Sequence, residues 1–313
     1  MKILVTGAAG FIGSHTAERL KSLGYDVIGI DNFSSHYSVD LKRLNEKSLL
    51  EKGISVLDKN LNDTNLKDTL PKDIEYIFHF AAQPGISSTS TFKDYLENNI
   101  LATRSISDYA ENLPNLKLFV NIGTSSVYGL EATFSEDREP KPASYYGVTK
   151  LAAEQLVLQK SREQIFRSCS LRLYSVIGPR ERPEKMFTKL IDLGLKGKPF
   201  PLFEGSDKHL RSFTYVGDIV DGIVSVIGKE AVLNGEIINL GTDKEYTTQE
   251  GIEAVEASLG KSIKLNIIPK RPGDQLRTRA NIDKARKLLD YNPTTSLMEA
   301  VNEQVVWFKE SFL

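Results

Sequence analysis

Cysteine is almost missing: Cys169 is the only one in 313 residues, so there is no internal disulfide and no cysteine-rich metal site, which suits a reducing compartment. No apolar run approaches the span of a bilayer, and Met1 leads straight into a short apolar segment rather than a signal sequence, so a cytoplasmic protein is expected. Neither sign of charge prevails. The 40 Lys and Arg against 41 Asp and Glu give a formal net charge of -1, mixed along the chain, which leaves no footprint for nucleic acid or an anionic membrane. The histidines, at positions 15, 36, 79 and 209, lack ligand spacing, and no metal is expected. Repeats and low-complexity tracts are also absent, and a small ligand is left as the natural partner.

Apolar residues make up 40% of the chain, enough to bury a sheet, and the length suits one large α/β domain or a large one with a smaller one. Short β-branched runs alternate with longer helical patterns through the first half, which predicts a Rossmann-like doubly wound parallel sheet of at least six strands. Strands are predicted at Lys2 to Thr6, Asp26 to Ile30, Ile54 to Leu57, Tyr76 to Phe80, Leu116 to Ile122 and Ser168 to Leu173. Long helices are predicted at Tyr95 to Glu111 and Tyr145 to Arg162, where apolar residues recur three and four apart. After Gly178-Pro179-Arg180 the alternation weakens, and Lys196 to Asp207 reads as a loop rich in Gly and Pro. Smaller elements follow: strands Arg211 to Tyr215 and Ile237 to Leu240, and helices Asp218 to Gly228, Thr248 to Leu259 and Leu297 to Phe308. The expected division is residues 1–178 for the sheet domain and mainly 179–313 for a smaller α/β substrate-binding domain, with some exchange of chain between them.

The first strand runs directly into Gly7-Ala8-Ala9-Gly10-Phe11-Ile12-Gly13. Strand, glycine turn and helix N-terminus, in that order, make a diphosphate site, because the unpaired N–H groups of the helix start can face the anion if no side chain blocks its approach. The spacing is GxxGxxG rather than GxGxxG and is weak alone. Asp31, at the end of the second strand and eighteen residues after Gly13, strengthens it. A carboxylate there accepts from ribose hydroxyls and repels a 2′-phosphate, which favours NAD over NADP.

Tyr146-Gly147-Val148-Thr149-Lys150 puts a phenol and an ammonium four residues apart, on one helix face. A free phenol near pKa ~10 is a poor base, and a neighbouring cation makes it a better one. Upstream, Thr124, Ser125 and Ser126 follow the fifth strand at its carboxyl edge, where a hydroxyl can share the substrate oxygen that Tyr146 deprotonates.

With these motifs on the page, the chain resembles the extended short-chain dehydrogenases/reductases, in particular the nucleotide-sugar epimerases and dehydratases. The resemblance spans nearly the whole length, through Thr6 to Gly13, Asp31-Asn32, His79 to Gln83, Thr124 to Gly129, Tyr146 to Lys150, Gly178 to Arg180, Arg211 to Val216 and Arg271 to Asp274. It implies that Gly7, Gly10, Phe11 and Ile12 hold the NAD diphosphate, Asp31 and Asn32 the adenosine ribose, and Asn60 with Leu61 the adenine edge. The family often has Asp where Asn60 stands. Phe80, Ala81, Ala82, Gln83 and Asn98 would line the middle of the cofactor, and Tyr146 and Lys150 would reach the nicotinamide ribose. Arg211 and Arg271 would clamp the substrate phosphates and Asp274 a ribose hydroxyl. A homodimer built on the two long helices is also implied.

Members of this family share a first step, in which the sugar 4-hydroxyl gives its proton to tyrosine and its hydride to NAD. Dehydratases then use an acid and a base, usually Asp-Glu, beside the catalytic threonine. Here those positions are Ser125 and Ser126, poor acids and bases near neutral pH, and the segment has no glutamate such as the family's decarboxylases carry. Epimerisation at C4 of a UDP-sugar remains. The Thr-Ser-Ser cluster with Ser175 and Arg182 looks most like the UDP-glucuronate branch, where small hydroxyls and an arginine would hold a C6 carboxylate; the same serines could instead leave room for a neutral hydroxymethyl group. Rival readings are a nucleotide-sugar 4,6-dehydratase or reductase and a non-catalytic NAD-binding regulatory protein.

Overall fold

A computed structural model describes residues 1–86, 90–270 and 275–313. The strands in chain order are β1 (Lys2–Thr6), β2 (Asp26–Asp31), β3 (Ser55–Asp58), β4 (Tyr76–His79), β5 (Leu118–Thr124), β6 (Glu131–Ala132), β7 (Ser168–Leu173), β8 (Val176–Ile177), β9 (Phe200–Phe203), β10 (Leu210–Arg211), β11 (Thr214–Tyr215), β12 (Ile237–Leu240), β13 (Tyr246–Thr247), β14 (Leu265–Ile268) and β15 (Arg277–Thr278). The helices are α1 (Phe11–Ser22), α2 (Val39–Glu51), α3 (Leu66–Thr69), α4 (Phe92–Tyr95), α5 (Ala102–Ala110), α6 (Tyr145–Arg162), α7 (Met186–Leu195), α8 (Val216–Val224), α9 (Glu230–Leu233), α10 (Thr248–Leu259), α11 (Asp283–Leu289) and α12 (Leu297–Phe312).

Seven parallel strands form the main sheet in the order β12-β7-β5-β4-β1-β2-β3. Buried on both faces, β4, β5 and β7 are apolar or hydrogen-bonded along their whole length, as a doubly covered parallel sheet requires. The strand order reverses at β1, which has β2 on one side and β4 on the other, and this opens a crevice beyond their carboxyl ends. The seventh strand, β12, lies beyond residue 178 and pairs with β7. A second set of short strands, β13-β10-β15-β6, β11-β8 and β14-β9, stands with α7, α10 and α12 over that end, around its own apolar core of Phe187, Leu190, Phe213, Ile252, Val301 and Phe308. Among the described residues no helix is long and apolar enough to cross a membrane.

Three local readings change. The helix predicted from Tyr95 to Glu111 is α4 and α5 joined by a π-helical turn, Leu96–Leu101. The Asn98 side-chain amide donates to the Asp94 carbonyl at 2.9 Å, and Thr103 Oγ1 donates to the Asn99 carbonyl at 2.6 Å; side chains thus compete with the α-helical ladder. The stretch from Lys196 to Asp207 contains β9, whose one proline, Pro201, fits because the strand pairs on one side only, with β14. The strand predicted from Arg211 to Tyr215 is two, since the chain leaves β13 and β15 at Arg211 and joins β8 at Thr214. Helices α2, α7 and α11 were not among the predicted elements.

Candidate active site

The turn after β1 is built by glycines that nothing else can replace. Gly7 has φ +66°, and a Cβ there would sit 2.8 Å from the backbone N of Ala81; a Cβ on Gly13 would sit 2.2 Å from the Gly7 carbonyl. The turn therefore lies directly on the strand end, with the amides at the start of α1 open to the crevice. Thr6 Oγ1 accepts from the Ala81 N–H at 3.1 Å and lies 2.8 Å from His79 Nδ1, which fixes the β1 and β4 ends together.

Asp31 closes β2 and is 8% exposed. Its two oxygens accept from the Ala9 N–H at 3.1 Å and the Phe33 N–H at 2.9 Å, holding the glycine turn and the next loop in one frame. Burial pushes this carboxyl above its usual range, while Lys42 and those two amides pull it back. Lys42, from α2, donates to the Ser34 carbonyl at 2.8 Å and stands over the Tyr37 ring at 4.7 Å. Lys42 and Tyr37 were missed by sequence reasoning; their only signal was nearness to Asp31.

A cavity of about 1740 Å³ runs from this corner into the second half of the chain. Of the residues nominated from sequence, Gly7, Gly10, Phe11, Ile12, Asp31, Asn32, Asn60, Leu61, Phe80, Ala81, Ala82 and Asn98 line its first part. Thr124, Ser125, Ser126, Tyr146, Lys150 and Ser175 line its middle, and Arg182 and Arg211 its far side. Gln83 does not line it. Its backbone N–H donates to Asn99 Oδ1 at 2.7 Å, and its amide nitrogen lies 2.5 Å from His36 Nδ1 and 2.8 Å from Ser90 Oγ, so it braces the loop after β4 from behind. Arg211 donates to the Leu210 carbonyl at 3.0 Å and to that of Gln275. Arg271 and Asp274 lie outside the described residues.

Ser144 caps α6 by accepting from the Gly147 N–H at 3.2 Å, which sets the first turn of the helix and with it Tyr146. Burial raises the Tyr146 phenol above its ordinary value, and it is opposed by the Thr124 hydroxyl, the charge of Arg182 and the Gly85 backbone. Burial likewise pulls the Lys150 ammonium down to about 8, against the charge of Glu154. Arg182, from the loop after β8, reaches over the cavity to the Pro84 carbonyl at 3.4 Å and is held by Glu184 at 2.5 Å. The phenol thus meets the Arg182 charge from the opposite wall, while Lys150, one turn on along its own helix, lines the same cavity.

A doubly wound sheet with a glycine turn at its switch point, an acid at the end of β2, and a Tyr–Lys pair facing a threonine across the crevice defines a dinucleotide-dependent enzyme of the extended short-chain dehydrogenase/reductase type. Residues 3–241 match the NAD dependent epimerase/dehydratase family, and the chain belongs to it. It is 37% identical over 317 residues to the uncharacterized UDP-glucose epimerase YtcB of Bacillus subtilis (strain 168), covering 100% of this chain and 99% of that one. UDP-glucuronate 4-epimerase 4 of Arabidopsis thaliana is 33% identical over 98% of this chain and 75% of its own length. Among solved structures, UDP-glucuronic acid 4-epimerase from Bacillus cereus, in complex with UDP-glucuronic acid and NAD, has a TM-score of 0.94 at 36% identity and full coverage of both chains. NAD is the family's cofactor, and the tight glycine turn that lines the cavity at Gly7, Gly10 and Gly13, the start of α1 and the Asp31 carboxylate fit it.

Proposed function

We propose that this protein is an NAD-dependent UDP-sugar 4-epimerase acting on UDP-glucuronate. The observation that carries the reading is the shared cavity wall of Tyr146, Lys150 and Thr124 with Ser125, Ser126 and Ser175, where the two residues that follow the threonine are serines and not carboxylates. Residues 1–178 hold the cofactor and most of 179–313 the nucleotide sugar. NAD supplies a reversible hydride acceptor for C4. Tyr146 takes the proton from the 4-hydroxyl and returns it, Lys150 and Arg182 favour the phenolate, and Thr124 hydrogen-bonds the same oxygen. Ser125, Ser126 and Ser175, with Arg182, hold the C6 carboxylate by charge-assisted and neutral hydrogen bonds. A 4-keto acid loses CO2 when its carboxylate stands perpendicular to the carbonyl, so gripping the group in-plane suppresses decarboxylation. Arg211, Arg271 and Asp274 bind the UDP part.

The test is to supply purified protein with UDP-glucuronate, UDP-glucose and UDP-N-acetylglucosamine and no added cofactor. UDP-galacturonate appearing from the first, without net NADH, is the expected result. A 4-keto-6-deoxy product or stoichiometric NADH consumption would establish the dehydratase or reductase instead. Turnover of UDP-glucose alone would move the serines to the neutral-substrate role.

We also propose a homodimer in a reducing cytoplasm. The helices around the π-turn and α6 leave Phe92, Leu101, Tyr145 and Val148 exposed at 46%, 40%, 62% and 45%, although these are large apolar side chains. Phe92 and Tyr145 pack edge to face at 5.3 Å and form one continuous patch.

A further inference from the structure

Tyr146 and Lys150 are followed one turn later on the same face of α6 by Glu154, which is fully buried. Its carboxylate is gripped by Arg172 of β7, with Nη2 to Oε1 at 2.6 Å and Nε to Oε2 at 3.0 Å, and it also accepts from Ser170 Oγ at 2.9 Å. Arg172 is 1% exposed. Its remaining arm donates to Tyr128 Oη at 2.8 Å, and Tyr128 passes its own proton to Asn239 Oδ1 on β12 at 2.9 Å. Tyr128 ends the short 3-10 turn Ser125–Tyr128, which carries Ser125 and Ser126. The whole assembly sits under Gly123, where a Cβ would come within 3.2 Å of Ser170 Oγ, 3.3 Å of Arg172 and 3.4 Å of Glu154.

A buried ion pair of this kind contributes little net stability over an apolar pair of equal volume, so its position calls for another explanation. We propose that the Glu154–Arg172 pair is a positioning device for the acid–base site: Glu154 supplies the counter-charge one turn behind Lys150, and Arg172 pins that carboxylate to the hydroxyl-bearing turn at 125–128. The inference rests on reading Tyr146 and Lys150 as the acid–base pair. Among the described residues, the charged and titratable groups bearing on Lys150 are Glu154 from α6 and His79 from β4, with Arg172 from β7 behind Glu154, and Tyr146 stands one turn before it on α6. Strand β5 brings none, and Glu97 of the π-turn is turned outward to Lys93 at 3.7 Å. Burial works against the ammonium and Glu154 works for it, so the device keeps Lys150 charged in a site that would otherwise strip its proton.

The experiment compares the wild type with Glu154→Gln, Glu154→Asp and the double variant Glu154→Gln/Arg172→Met. Two quantities are read against pH: the alkaline limb of kcat for UDP-glucuronate, and the midpoint of Lys150 acetylation by acetic anhydride, followed by peptide mass spectrometry without substrate. In Glu154→Gln both should fall by about one pH unit, with KM little changed, and Glu154→Asp should restore most of the difference. If the single variant does not fold, the double variant, which leaves no unpaired buried charge, should show a smaller fall in the same direction, because the opposing charge of Arg172 leaves together with that of Glu154. A lower Tm with both pH midpoints unmoved would make the pair a structural pin and overturn the proposal. A wild type that does not turn over UDP-glucuronate refutes the proposed function alone, because the acetylation midpoint is measured independently of it.

Discussion

In the proposed mechanism the Tyr146 phenol has one task that its ring cannot perform, so Tyr146→Phe separates chemistry from binding. Turnover should fall by about a factor of 10² to 10⁴ while NAD released from the denatured protein stays stoichiometric; a near wild-type rate would remove the tyrosine from the mechanism. Gly13→Ala acts on the opposite half of the site. Its Cβ would meet the Gly7 carbonyl at 2.2 Å, so the turn must shift, which should lower stability by about 1–3 kcal/mol and reduce co-purified NAD. Thermal melting and nucleotide release measure the two effects. Residues such as these were legible from sequence because their chemistry is local: a glycine before a helix or a Tyr and Lys one turn apart already specify geometry. Gln83 shows the limit. It sits in the right segment, yet its side chain is claimed by His36 and Ser90, and no local pattern encodes which way a loop side chain turns. Arg182 shows the converse, since its bearing on Tyr146 exists only once the loop after β8 has crossed the cavity.

Elements were legible where one periodicity held throughout, as in α6 and the buried parallel strands, and not where tertiary partners cut a run. The residues from Arg211 to Tyr215 have a strand's composition, but they pair with two different sheets, a choice made by β13, β15 and β8. The π-turn belongs to the same class, because its widening depends on Asn98 and Thr103 diverting backbone carbonyls. What the sequence left open about the long helices, whether their apolar residues face only their own sheet, the exposures of Tyr145 and Val148 at 62% and 45% answer: part of that surface faces outward. Replacing Tyr145 and Val148 together by lysine should therefore convert a dimer to a monomer in light scattering, with each fold intact by circular dichroism. A wild type that is already monomeric at micromolar concentration would reject the dimer.

At the scale of the whole molecule, a buried histidine, His79, and a half-buried one, His15, tie the crevice together, and the hydrogen bonds of His79 fit a neutral ring. Thr103 Oγ1 spends its proton on the Asn99 carbonyl, so it accepts from His79 Nε2–H at 2.9 Å, and Nδ1 is left to accept from Thr6 Oγ1. Adding a proton at Nδ1 sets two donors face to face beneath the glycine turn. Burial, with the Lys150 charge, pulls His79 down to about 3. His15 is pulled to about 4, by burial and then by Arg180, while its Nε2 lies 2.9 Å from the Pro179 carbonyl and joins α1 to the loop after β8. Both folded-state values lie below the ordinary histidine value of 6.5, so between that value and each folded pKa the unfolded chain binds more protons than the native one. Stability is therefore full above about pH 6.5 and falls as pH falls, by up to about 1.4 kcal/mol per pH unit for each histidine, levelling for His15 near 4 and for His79 near 3. Urea midpoints measured from pH 7.5 to 4 should show this slope, and His15→Gln and His79→Gln should each flatten it while lowering stability at neutral pH. The His79 variant should also shed NAD, since His79 braces the strand ends on which the glycine turn rests, and a slope unchanged in both variants would assign acid sensitivity to the carboxylates instead.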